Sequence, residues 1–251
     1  MTQERREQND KRSENRSSRS NSRIELIDAL RGLSVTLMVI HHFLYNLVYF
    51  LGAPRWFFTN PVFDILQPIF AGVFVTLAGV SSRFSRGNIR RGLIVLAIAV
   101  GITVVTYLMD MTILFGVLHL LGFSMLFFGL THKAWDLIPR KIAGVIYASL
   151  TVVGALVTTH ITFESPYLWM FGWTRPEFSS YDYFPILPWF FVFMFGTWAG
   201  RYISERKFPE WFYETRNIPM LPTVGRRALI IYIIHQPILY GVVMGIRWLF
   251  F

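Results

Sequence analysis

Asp28-Ala29-Leu30-Arg31-Gly32-Leu33-Ser34-Val35-Thr36-Leu37-Met38-Val39-Ile40-His41-His42 is the stretch on which the reading of this chain turns. It lies inside an apolar segment of about 24–50, long enough to cross the ~30 Å of hydrocarbon that needs ~20 helical residues. Ionisable groups within such a segment cost roughly 2.5–3.5 kcal/mol or more each, so they usually line a cavity, an ion path or a reaction site. His119 and His235 fall inside later apolar segments in the same way.

Hydrophobic residues make up 53% of the 251, aromatics 17% and charged residues only 16%, a balance that fits a polytopic membrane protein and not a soluble domain. With no cysteine, neither a disulfide framework nor a thiolate metal site is available. Residues 1–23 hold seven basic and four acidic residues with almost nothing apolar, so they read as a disordered cytoplasmic tail. The remainder, 24–251, reads as one transmembrane domain. Spans are predicted at about 24–50, 62–82, 92–109, 112–131, 142–160, 184–201 and 225–248. None alternates like a barrel strand, and continuous apolar runs with internal glycine fit packed helices. The expected fold is an all-α polytopic bundle of about seven spans.

The basic residues orient it. Twenty lie in the tail and in the connections around 83–91, 132–141 and 201–227, while the alternate side has only Arg55, Arg175 and Arg247. The positive-inside rule therefore predicts a plasma-membrane protein with a cytoplasmic N-terminus and an outer C-terminus, as an odd number of spans requires. The net charge of +9 is thus topogenic, and nucleic acid is not an expected partner.

At ~1.5 Å per helical residue, His42 lies roughly 16 Å beyond Arg31, and His119 roughly 10 Å below the outer surface. Asp64 and Gln67 enter the second span from that same side. One outward-opening cavity would gather these groups. Each also has a plainer reading. Asp28 and Arg31, three apart, either pair near the headgroups or help hold a phosphorylated donor. His41 and His42, about 100° apart on a helix, do not both face one cavity. His119 is an interhelical hydrogen-bond partner or a reactive group, and His235-Gln236-Pro237 a satisfied kink or part of the site. The run Tyr181 to Trp189 is an interfacial belt or a substrate lip. Gly116, Gly122 and Gly129 read as close-packing positions. There is no phosphate loop, no His-Glu-x-x-His and no nucleophile elbow, and no metal is predicted.

Arg23-Ile24-Glu25-Leu26-Ile27-Asp28-Ala29-Leu30-Arg31-Gly32-Leu33, with His42 fourteen residues after the Asp, resembles the opening helix of membrane acyltransferases. So do Asp64 to Ser82 with Leu77-Ala78-Gly79-Val80, Phe115-Gly116-Val117-Leu118-His119-Leu120-Leu121-Gly122, and Ile186-Leu187-Pro188-Trp189-Phe190. With Gly225-Arg226-Arg227 through His235-Gln236-Pro237, residues 23–248 resemble a compact prokaryotic member of the heparan-α-glucosaminide N-acetyltransferase catalytic-domain family. The resemblance implies an acetyl group taken from cytoplasmic acetyl-CoA and delivered to a sugar-like acceptor across the membrane. Lysosomal relatives carry a His-Ala-x-Trp just after the first helix; the matching stretch here is Gly52-Ala53-Pro54-Arg55-Trp56, without the His. Where those relatives have Asn and Gln, this chain has His42 and His119.

Attack on a thioester needs a base near pKa 7, and imidazole is the natural choice. The catalytic expectation is His42, with Asp64 or His119 orienting it or the acceptor. His41, Gln67, Trp189 and His235 are expected to contact substrate. Arg31, Arg83, Arg90, Arg91, Arg226 and Arg227 are expected to hold the phosphates of CoA, although topogenesis accounts for them equally well. The partners implied are the lipid bilayer, a glycan or other small acceptor, and a possible second copy of the chain. The alternatives are a proton-coupled transporter, which often shows two similar halves that this chain lacks, and a noncatalytic member of an envelope complex.

Overall fold

The computed structural model describes residues 24–163, 165–214 and 218–250. The tail predicted at 1–23 lies outside these described residues. The helices are α1 (Glu25–Leu51), α2 (Pro61–Phe84), α3 (Asn88–Leu108), α4 (Val117–Trp135), α5 (Arg140–His160), α6 (Ile186–Ser204), the short α7 (Leu221–Arg226) and α8 (Ala228–Phe250). Among the described residues there is no strand, only an isolated parallel bridge between Phe115 and Tyr183. The fold is all-α and membrane-spanning, with a long helix at each of the seven predicted spans. Among the described residues, six of these helices are long and apolar enough to cross a membrane. The exception, α6, carries Trp189, Trp198, Arg201 and Tyr202 along its 19 residues.

Two predicted boundaries move. The fourth helix begins at Val117 instead of 112, because residues 112–115 are recruited by the 180–184 segment. Tyr181 N–H bonds the Thr112 carbonyl, Phe184 N–H the Phe115 carbonyl at 2.7 Å, and Leu114 N–H the Ser180 hydroxyl. The last predicted span is two helices, since the chain turns at Arg227 between α7 and α8.

The described residues form two compact units, one within 24–67 and 208–250, the other within 68–207. In the first, α1 packs on both α7 and α8. The α1–α7 contact is backbone to backbone: a Cβ on Gly32 would lie 2.0 Å from the Leu221 carbonyl oxygen, and one on Gly225 would lie 1.8 Å from that of Asp28. Only glycine permits this approach, and in hydrocarbon such close packing is the main source of helix attraction. Ile27, Ala29, Val35, Ala228 and Val243 are buried there.

In the second unit α3 pairs with α4 and α5 with α6. Gly92 meets Gly122 across the α3–α4 seam, and Gly129 faces Ile89. Gly79 of α2 sits against the Phe193 carbonyl of α6, and Gly196 against that of Thr76. The buried centre is large and aromatic, with Phe128, Phe190, Phe193 and Met194. By contrast Leu93, Val100, Val104 and Leu108 of α3 are exposed, as a lipid-facing surface requires.

Candidate active site

The first unit brings polar side chains of α1 and α8 together. His42 and His235 have ring centroids 5.1 Å apart. Gln236 Nε2 stands 3.5 Å from His42 Nδ1, at the long end of hydrogen-bond range, and Gln236 Oε1 accepts from Asn46 Nδ2 at 3.1 Å. Asn46 lies one turn beyond His42, on the same face of α1. His235 Nδ1 is 2.7 Å from the Tyr232 carbonyl oxygen, and its Nε2 is buried with no hydrogen-bond partner among the described residues. His235 is buried and His42 half-buried. His41 turns to the side, with its ring 4.8 Å from Phe58 and 5.8 Å from Phe63.

Asp64 and Gln67 belong to the same unit, on the first two turns of α2. Asp64 is exposed and Gln67 half-buried. The helix is started by Asn60, whose Oδ1 accepts the N–H groups of Val62 and Phe63. At the start of α1 Arg31 Nη1 is 2.8 Å from Asp28 Oδ1, and Asp28 is buried. The α1–α7 clasp brings Gly225 onto the backbone of Asp28 and Gly32, and so places the exposed Arg226 and Arg227 just beyond it. Arg226 also bonds the Thr223 hydroxyl at 2.8 Å.

His119 and Trp189 lie in the second unit. The Thr103 hydroxyl donates to the Ile113 carbonyl at 2.6 Å and therefore accepts from His119 Nε2 at 3.1 Å. His119 ties α3, α4 and the turn between them. Trp189 is half-buried, 4.9 Å from Phe184. Asp182 accepts the Val117 N–H at 3.1 Å, capping α4. Tyr183 donates to the Trp169 carbonyl, and burial pushes its phenol up to about 12.

The end of this unit where α2, α4 and α6 finish is basic. Arg83 and Arg201 share Asp136, at 2.8 and 3.4 Å, and Arg83 lies over the Phe128 ring. Arg90 and Arg91 are exposed. Hydrogen bonds from Lys207 and Arg140 hold the Glu205 carboxyl down at about 2. No group of three potential metal ligands occurs among the described residues.

A family model described as heparan-alpha-glucosaminide N-acetyltransferase, catalytic, matches residues 23–237. The chain belongs to that family. The match opens one residue before the described part of the chain and closes just after His235-Gln236, so both halves of the imidazole pair lie within this N-acetyltransferase catalytic region. Membership points to acyl transfer by a membrane-bound protein as the class of activity. No curated protein and no solved structure matches the chain.

Sequence reasoning did not single out Asn46, Thr103 or Asp182. For Asn46 a signal existed: it is an amide in a spanning helix, four residues after His42. Asp182 bears no local mark, since its partner Val117 is 65 residues away.

Proposed function

We propose that this protein is an integral membrane acetyltransferase that takes the acetyl group of cytoplasmic acetyl-CoA and delivers it to a sugar-like acceptor at the outer side of the membrane. What carries the reading is the meeting of His42 and His235, from helices near opposite ends of the chain, in a region matching an N-acetyltransferase catalytic domain. Imidazoles within spanning helices cost too much to be retained without a task, and a neutral imidazole suits proton removal from a hydroxyl or amine.

In this reading His42 and His235 face the reacting atoms, and His41, Gln67 and Asp64 of the same unit line the acceptor's approach. The exposed Arg226 and Arg227, with Arg31, offer guanidinium groups whose fork geometry fits the CoA phosphates. Arg83, Arg90 and Arg91 supply further positive charge on the cytoplasmic side, which the distribution of basic residues assigns to the N-terminus and to the α2–α3 connection. His119 and Trp189 support the second unit, His119 through its bond to Thr103.

The test is transfer by purified protein in liposomes from radiolabelled acetyl-CoA to amino sugars. The expected result is an acetylated sugar, lost in His235→Gln and His42→Gln, and an acetyl-CoA thermal shift reduced in Arg226→Ala/Arg227→Ala. No thermal shift and no transfer, with solute uptake driven instead by a proton gradient, would replace this reading with the transporter.

A further inference from the structure

With the amide orientations of the structure, the donors and acceptors between α1 and α8 imply a proton position for each imidazole. A carbonyl oxygen only accepts, so the Tyr232 carbonyl receives the Nδ1–H of His235. Neutral His235 then carries its lone pair on Nε2, the buried atom without a partner among the described residues. Asn46 Nδ2 donates to Gln236 Oε1, which leaves the Gln236 amide nitrogen, a donor, facing His42 Nδ1. His42 Nδ1 accepts, and neutral His42 carries its proton on Nε2. Two imidazoles 5.1 Å apart thus hold opposite tautomers.

We infer that Asn46 and Gln236 are positioning residues that hold His42 as a hydrogen-bond donor, leaving His235 Nε2 to take the acceptor's proton; the inference rests on the acyl-transfer reading. Asn46 is 1% exposed in a spanning helix, where an apolar residue would fill the space without an amide to satisfy. Its amide nitrogen meets Gln236 Oε1, which turns the Gln236 nitrogen toward His42 Nδ1.

The step balances. A lone pair on the acceptor oxygen or nitrogen attacks the thioester carbonyl carbon while its proton passes to His235 Nε2. The oxyanion that forms accepts a hydrogen bond from His42 Nε2–H, which keeps its proton throughout. As the oxyanion collapses the carbon–sulfur bond breaks, and His235 returns its proton to the departing thiolate. The products are the acetylated acceptor and free thiol, with both imidazoles neutral again. His42 and His235 are the catalytic residues in this scheme.

Histidine-selective 15N NMR of the full chain in nanodiscs tests it, with resonances assigned by their loss in His42→Gln and His235→Gln. The wild type is expected to show His42 protonated on Nε2 and His235 on Nδ1. In Asn46→Asp the new carboxylate accepts from Gln236 Nε2, turns the amide over and presents Oε1 to His42. Its tautomer then flips while that of His235 does not. With the oxyanion donor gone, kcat should fall roughly 100-fold with KM for acetyl-CoA little changed. Wild-type His42 protonated on Nδ1 overturns the inference, and so does an unflipped His42 in Asn46→Asp. If Asn46→Asp fails to fold, the wild-type spectrum decides alone. The stated tautomers in a protein that transfers no acetyl group would count against the acyltransferase reading and leave the positioning of His42 standing.

Discussion

Gly225→Ala should open the seam between α1 and α7. The added Cβ would lie 1.8 Å from the Asp28 carbonyl oxygen, where ordinary contact begins at 3.4 Å, so the backbones must part by about 1.6 Å, the difference between the two. The obstacle is backbone on both sides: besides that oxygen, the Asp28 carbonyl carbon and the Gly32 nitrogen lie at 2.8 and 2.9 Å. No side chain rotates away to relieve it. Overpacking typically costs ~1–3 kcal/mol, and with no flexible group to yield the upper end applies, about 3 kcal/mol. That is roughly two powers of ten in the folded-to-unfolded ratio. Gly241 and Gly245 of α8 supply the control, because nothing lies within 4 Å of a Cβ built on either. Replacing them with alanine should leave stability unchanged or raise it by up to ~1 kcal/mol through helix propensity. Denaturant titration in mild detergent measures all three. Equal stability of Gly225→Ala and Gly245→Ala would refute the close approach of the two backbones.

Thr103→Val removes both the bond to the Ile113 carbonyl and the acceptor of His119, and should cost ~1–3 kcal/mol in chemical denaturation. Asp182→Ala deletes the cap on Val117 and should cost about 1 kcal/mol. A Cβ on Gly116 would lie 2.3 Å from Asp182 Oδ2, so Gly116→Ala should be better tolerated in the Asp182→Ala background, and a double-mutant cycle should give a coupling above ~0.5 kcal/mol. Glu205 has its folded carboxyl held at about 2 against an ordinary 4.5, so its contribution is present above 4.5 and lost as pH falls toward 2. The melting temperatures of wild type and Glu205→Gln should differ at pH 7 and draw together as pH falls to about 2; a constant gap would remove the ion cluster from the account.

Long spans declare themselves through length and apolarity, and α1 was legible with its polar groups in place. Helix α4 was displaced because Ile113, Leu114 and Phe115 are as apolar as a span, while what stops them being helical is pairing with residues 180–184, far along the chain. The α7–α8 break fell inside the predicted span 225–248 for a related reason: the turn at Arg227 follows the Gly225–Gly32 contact, which is tertiary. At the candidate site His42 and His235 could be named from their depth alone. Their pairing, and the part taken by Asn46, needed the packing of α1 on α8, which no local pattern encodes.

The first unit is assembled from residues on both sides of the other, which has a consequence for biosynthesis. During translation α1 enters the bilayer early, yet its partners α7 and α8 emerge only after residue 208. Units tend to fold as they are completed, so residues 68–207 are free to settle while α1 waits with Gly32 uncovered and Asn46 without Gln236. The ribosome must deliver almost the whole polypeptide before His42 meets His235, and a chain released early would hold one finished unit and an unpaired α1.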